Sequence, residues 1–132
     1  RELEEELGVV ADPNDLVLLG ERRLVDDSGE GQLNKELTSV YLLRDDRPLD
    51  EYVLQTSEVD AVFEAPVSEL LHLFAGKLET IELPGVQHAG SPDAYPVSIS
   101  AKLEDFVPGD SYWVNLFIMC ERFLNGQQPL AI

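Results

Sequence analysis

Arg1–Val9 reads RELEEELGV, and four of its nine residues are glutamates. On a helix of about 3.6 residues per turn, Glu2, Glu5 and Glu6 stand at i, i+3 and i+4 and share one face. Leu3, Leu7 and Val10 fall at i, i+4 and i+7 on another face, which predicts a buried stripe. Glu4 points away from both. Gly8 stands where a residue of positive φ commonly ends a helix.

This acidic face is locally unfavourable. Glu2 and Glu6 form a like-charge i,i+4 pair that costs about 0.2–0.5 kcal/mol. Acidic side chains near a helix C-terminus also oppose its dipole. Arg1 offsets part of the repulsion by reaching Glu4 or Glu5. A hard divalent cation would offset more, because Mg²⁺ is held by one or two carboxylates together with substrate phosphates. The plainer reading is a solvated acidic helix, as most glutamate runs are.

The stretch resembles the second half of the Nudix hydrolase motif. That motif reads Gly, five residues, Glu, seven residues, then Arg-Glu-U-x-Glu-Glu-x-Gly-U, where U is a bulky aliphatic. Arg1-Glu2-Leu3-Glu4-Glu5-Glu6-Leu7-Gly8-Val9 matches each fixed position of the second half. NKELTSVYLLR, LQTSEVDAVFEAPVSELLHLFAGK and DFVPGDSYW look like the isopentenyl-diphosphate-isomerase-like branch of the same superfamily. The likeness is strongest over residues 1–10 and 36–76. The motif's Gly and first Glu would lie upstream of Arg1, so the expectation is the later part of a Nudix domain, truncated at its N-terminus.

By that resemblance the fold is α/β of the α+β kind, an α/β/α sandwich with a mixed sheet between helices. The resemblance implies a pyrophosphohydrolase that cleaves a nucleoside diphosphate linked to another moiety. Glu5 and Glu6 would hold Mg²⁺ or Mn²⁺, and Glu2 would be a further ligand or orient the attacking water. Arg1 would fix a neighbouring carboxylate. Glu58 is a candidate additional ligand or base, with an exposed strand-edge carboxylate as its plainer reading; Glu51 and Glu64 are weaker candidates of the same kind. Two alternatives stay open. One is isopentenyl-diphosphate isomerisation, which the placement of the one cysteine does not support. The other is a non-catalytic Nudix-like module that binds a ligand or a partner protein.

Composition narrows the classes further. The 132 residues suffice for one domain, 1–132. A net charge of −17 disfavours nucleic-acid and anionic-membrane partners, which need basic patches. It leaves room for a small diphosphate substrate bridged by a metal ion. No run approaches the roughly 18 apolar residues of a membrane span. Cys120 is the one cysteine, so no internal disulfide forms, and a cytoplasmic setting is expected. A homodimer is common in the family.

The remaining elements follow from periodicity and turn residues. Leu16–Asp27 and Asn34–Arg44 predict strands, with SGEGQ as the loop between them. A long polar connection, Asp45–Glu58, leads to a short strand over Val59–Ala65. Ser68 is expected to open a helix over Glu69–Ala75, stopped by Gly76. KLETIEL and YPVSISA predict strands joined by the turn-rich PGVQHAGSPDA. Ser111–Leu124 predicts a final amphipathic helix, capped by Asp110 or Ser111. Its expected inward side chains are Tyr112, Trp113, Leu116, Phe117, Cys120, Phe123 and Leu124. Arg22 and Arg23, His72 and His88 read as exposed or structural.

Overall fold

The structure is a computed structural model that describes residues 2–27, 33–109 and 111–132. Arg1, the loop residues 28–32 and Asp110 lie outside the described residues, and with them fall the expected loop and one of the two expected caps. Three helices and five strands are described: α1 (Glu2–Leu7), β1 (Leu16–Asp27), β2 (Leu33–Leu43), β3 (Ala61–Phe63), α2 (Val67–Phe74), β4 (Ile81–Gln87), β5 (Tyr95–Ala101) and α3 (Tyr112–Leu124). The α+β class expected from the sequence is the class of this chain. The described strands pair only antiparallel, β1 with β2 and β3–β4–β5 in that order, where the resemblance implied a mixed sheet.

β4 is the central strand of the three-stranded sheet, and its side chains alternate in burial as period-two geometry requires. Ile81, Leu83 and Gly85 face inward, while Glu82 and Pro84 face out. Ser100 sits opposite Glu82 and donates its hydroxyl to Glu82 Oε1 at 2.6 Å. The strand was expected to stop before Pro84, because proline has no N–H for a ladder. It runs on to Gln87 because β3 ends at Phe63, opposite Gly85, before the proline is reached. Pro84 still accepts a bond from the Glu64 amide at 3.1 Å.

The inner face of this sheet is covered by α2. Leu73, Ile81, Leu83 and Ala101 form the buried cluster, with Phe63, Leu70, Phe74 and Phe106 packed around it. α3 packs on α2 where Phe117 meets Phe74 at 5.4 Å between ring centres, and Phe106, in the segment before α3, meets the same Phe74 ring at 5.2 Å. Such contacts add about 0.5–1.5 kcal/mol each beyond area burial. Trp113 stacks on Phe117 at 5.9 Å and donates Nε1–H to the Val107 carbonyl at 2.6 Å, so the ring is packing and not a platform for a ligand.

Helix ends differ from expectation at the start of α2 and the end of α3, while the N-cap of α3 is one of the two residues expected there. α2 begins at Val67 behind Pro66, whose fixed φ suits a helix entrance, so Ser68 lies in the first turn and not at the cap. Ser111 caps α3 by position without a side-chain bond. Leu124, expected inward, is exposed at the end of α3.

β1 and β2 form a long ribbon. It meets the rest of the chain near Leu19, which is buried and whose carbonyl accepts the Ile132 amide at 3.0 Å. A bulge between Leu18 and Gly20 lets the chain end approach there. Arg22 crosses to α3 and lies 4.0 Å from the centre of the Tyr112 ring, while Arg23 is exposed. The adjacent arginines face opposite ways, as a strand demands.

Candidate functional site

α1 ends where the spacing said it would. Gly8 takes φ 68°, and its amide donates to the Glu4 carbonyl at 3.0 Å. The last turn of a helix leaves carbonyls without intrahelical donors. Here the chain at 53–55 supplies them: the Val53 amide reaches Leu7 O at 3.1 Å and the Gln55 amide reaches Glu6 O at 3.0 Å. The Leu54 amide between them bonds Ala89 O at 3.0 Å, which ties the same segment to the turn after β4. α1 is thus fastened to the three-stranded sheet through one extended segment.

Glycines make that passage possible. A Cβ on Gly8 would come within 2.8 Å of Val53 Cβ, and one on Gly90 within 2.7 Å of Val53 Cα; both glycines have positive φ. Gly8→Ala is therefore expected to lose at least about 1–2 kcal/mol from backbone strain alone, with the contact adding to it. Thermal unfolding of the variant beside the parent chain measures this.

The turn at Gly8 also changes which valine is buried. Helical phase predicted Val10 on the stripe with Leu3 and Leu7. Val9 is buried instead and Val10 is 76% exposed, because the left-handed glycine ends the helical phase before either valine. Leu3, Leu7 and Val9 line a cavity of about 440 Å³ together with Leu16, Tyr41, Leu43, Asp45 and Tyr52. The leucines face this apolar space, as expected of the stripe.

The carboxylates lie on the outer side. Glu2, Glu4 and Glu5 are exposed and Glu6 is half-buried. Among the described residues no group of three His, Cys, Asp or Glu side chains is gathered as a metal-holding cluster. Arg1, expected to fix a neighbouring carboxylate, lies outside the described residues. Glu58 is exposed in the turn that follows Gln55, and its amide bonds Gln55 O at 2.9 Å. Because Gln55 is bonded to Glu6 O, the backbone brings the Glu58 turn to the C-terminal end of α1. Glu51 sits in a short 3-10 turn, Leu49–Glu51, and Glu64 follows β3. Glu64 lines a groove with Glu69 and Glu82 instead of joining α1.

Two of the cavity's lining residues, Asp45 and Tyr52, are engaged by Arg47. Arg47 donates its backbone N–H and its Nε–H to Asp45 Oδ1 at 3.2 and 2.8 Å, and its guanidinium lies 5.4 Å from the Tyr52 ring centre. Burial, with the Asp45 charge second, raises the Tyr52 hydroxyl above its ordinary pKa. The Asp-x-Arg-Pro order is a turn signal that could have located the pair. Its contact with Tyr52 depends on how the loop closes.

Of the other candidates, His72 is exposed on α2, and His88 holds φ 53° in a turn beside Tyr95. Cys120 is half-buried on α3, and burial pushes its thiol above the ordinary 9.0. A thiol held protonated is a poor nucleophile. Alkylation by iodoacetamide at neutral pH is expected to be slower than for the unfolded chain, and to speed up as pH rises into the alkaline range.

No helix among the described residues is long and apolar enough to cross a membrane. No family profile matches the chain, and no solved structure matches it. The chain is similar to an uncharacterized Nudix hydrolase of Clostridium acetobutylicum, 28% identical over 108 residues. The match covers 82% of this chain and 52% of that protein, so the chain spans about half the length of the curated relative it matches. A likeness extending over most of the chain, to a protein of the superfamily that Arg1–Val9 resembles, supports placing this chain in the Nudix superfamily.

Proposed function

We propose that this chain carries the metal-binding helix of a Nudix-type hydrolase that acts on a nucleoside diphosphate linked to another moiety. The observation that carries the reading is the two-sided character of α1. Its leucines face an apolar cavity, its glutamates face outward, and its end is pinned by the bonds from Val53 and Gln55. Fixed carboxylates on a short, anchored helix are what a reaction at a diphosphate needs.

The donor set fits Mg²⁺ or Mn²⁺ in kind, since every donor is a hard carboxylate oxygen and Mg²⁺ takes only one or two of them beside water and phosphate. Glu5 and Glu6 would hold the ion, with Glu2 as a further ligand or the group that orients water, and Arg1 holding a neighbouring carboxylate. Glu58 is the candidate additional ligand or base. When bound, the ion would neutralise charge on the diphosphate and lower the pKa of an attacking water. The protein's part is to hold the carboxylates in place through the Leu7 and Glu6 carbonyl bonds, so that little reorganisation is needed during reaction.

A second reading, a non-catalytic module that binds a nucleotide ligand, draws on the lack of a gathered three-donor cluster among the described residues. Incubating the protein with a panel of nucleoside diphosphate conjugates, with and without Mg²⁺, separates the two. Metal-dependent release of monophosphate products is expected. Ligand binding without turnover, unaffected by Mg²⁺, would establish the second reading instead.

A further inference from the structure

We propose that the turn between β4 and β5 is a positioning element for metal binding at α1, and that Gly90 within it sets where the end of α1, Glu6 and Glu58 stand relative to one another. The inference rests on the hydrolase reading and adds to it a residue that has no donor group of its own.

The first observation is how the amides of one extended segment are shared out. Val53 and Gln55 donate to Leu7 O and Glu6 O in the last turn of α1, at 3.1 and 3.0 Å. Leu54, between them, donates to Ala89 O in the turn at 3.0 Å. Leu54 is 6% and Ala89 1% exposed, so this bond lies out of water. A buried amide left without its partner is costly, so the segment cannot slide along α1 while the turn stays in place.

Second, Val53 is in close contact with both glycine turns. A Cβ on Gly90 would meet Val53 Cα at 2.7 Å and Tyr52 O at 3.0 Å, and one on Gly8 would meet Val53 Cβ at 2.8 Å. Neither turn has a side chain there to give way, and close-packed atoms pass a displacement on. The turn itself is held. His88 keeps φ 53°, an uncommon setting for a residue with a side chain, and its amide donates to Asp60 O at 2.8 Å. A residue in such a conformation persists only where its surroundings fix it.

Third, Gln55 joins the two parts of the candidate site. Its amide bonds Glu6 O, and its carbonyl accepts the Glu58 and Val59 amides at 2.9 and 2.7 Å. The backbone of one residue therefore stands between Glu6 and Glu58, and a shift of the segment at Val53 carries to both. Groups that act on one ion must keep their places within roughly 0.5 Å. Ordinary contact of a Cβ begins near 3.4 Å, so a methyl at Gly90 demands a larger shift than that.

Gly90→Ala and Gly76→Ala test the proposal as a pair. Gly76 has φ 76° and nothing within 4 Å of an added Cβ, so both variants carry left-handed strain and only Gly90→Ala pushes on Val53. Affinity for Mn²⁺ is read by titration calorimetry, at a temperature where circular dichroism shows both variants folded. Gly76→Ala is expected to keep the parent's affinity. Gly90→Ala is expected to lose about tenfold or more, the scale for partners that orient metal ligands from behind. Equal affinity in the two variants overturns the proposal and leaves the hydrolase reading in place. A parent chain with no Mn²⁺ heat sinks the hydrolase reading, and this inference with it. Should Gly90→Ala not fold, hydrogen exchange of the parent chain decides. An ion that binds only the clamped arrangement also stabilises it, so Mg²⁺ is expected to slow the Val53, Leu54 and Gln55 amides together. A Leu54 amide that Mg²⁺ leaves unchanged would mean that α1 keeps its place independently of the turn, and overturns the proposal.

Discussion

Glu5→Gln combined with Glu6→Gln is expected to reduce metal-dependent diphosphate hydrolysis at least about a hundredfold, the scale for removing a group that stabilises transition-state charge. The substitution keeps side-chain size and removes charge, and glutamine has nearly the helix propensity of glutamate. Folding should therefore survive. Removing the charge of Glu6 also relieves its repulsion with Glu2 one turn earlier, which favours the helix by about 0.2–0.5 kcal/mol. The signature is thus two-sided: turnover falls while the fold is kept. If turnover persists, the assignment of the metal to these carboxylates fails, however well the fold is kept. Isothermal titration with Mn²⁺ gives an independent reading, since a metal-binding heat is expected of the parent chain and should be missing from the variant.

The parts of this molecule that could be read from residue order are those governed by local period. α1, the two long strands and the aromatic face of α3 each announce themselves within a dozen residues, and the structure has them within a residue or two of their expected ends. The misreadings lie where a distant segment decides the outcome. Pro84 looks like a strand terminator until β3 is seen to stop short of it. Val10 lies on the helical stripe only if the helix continues, and the Gly8 turn, packed against Val53, hands the buried position to Val9. The candidate site divides in the same way. That Glu2, Glu5 and Glu6 share a face follows from spacing. That the Glu58 turn comes to the end of the same helix follows from the Gln55 to Glu6 bond, which spans 49 residues of chain and has no local signal. The meeting of Asp45 and Arg47 with Tyr52 has no local signal either, because it depends on how a polar loop without periodicity closes.

Leu73→Ala is expected to cost about 3–5 kcal/mol, the range for a fully buried leucine whose surroundings cannot collapse. Leu73 is 0% exposed and lies between α2 and the sheet, in a cluster with Ile81, Leu83 and Ala101. The rings of Phe74 and Phe106 are held against each other beside it, and Phe74 also abuts Phe117, so the gap would be lined by side chains already engaged elsewhere. Small domains are stable by about 5–15 kcal/mol. The loss would then remove a large share of the stability. Trp113, the one tryptophan, stacks on Phe117 in the adjoining aromatic group and reports the transition by its fluorescence in urea. The midpoint should fall sharply with little change in the slope of the transition. Val10→Ala serves as the comparison, because a valine this exposed should cost less than about 0.5 kcal/mol. A Val10 variant as destabilised as the Leu73 variant would mean that the helix continues past Gly8 and that the buried stripe is the one helical spacing predicts.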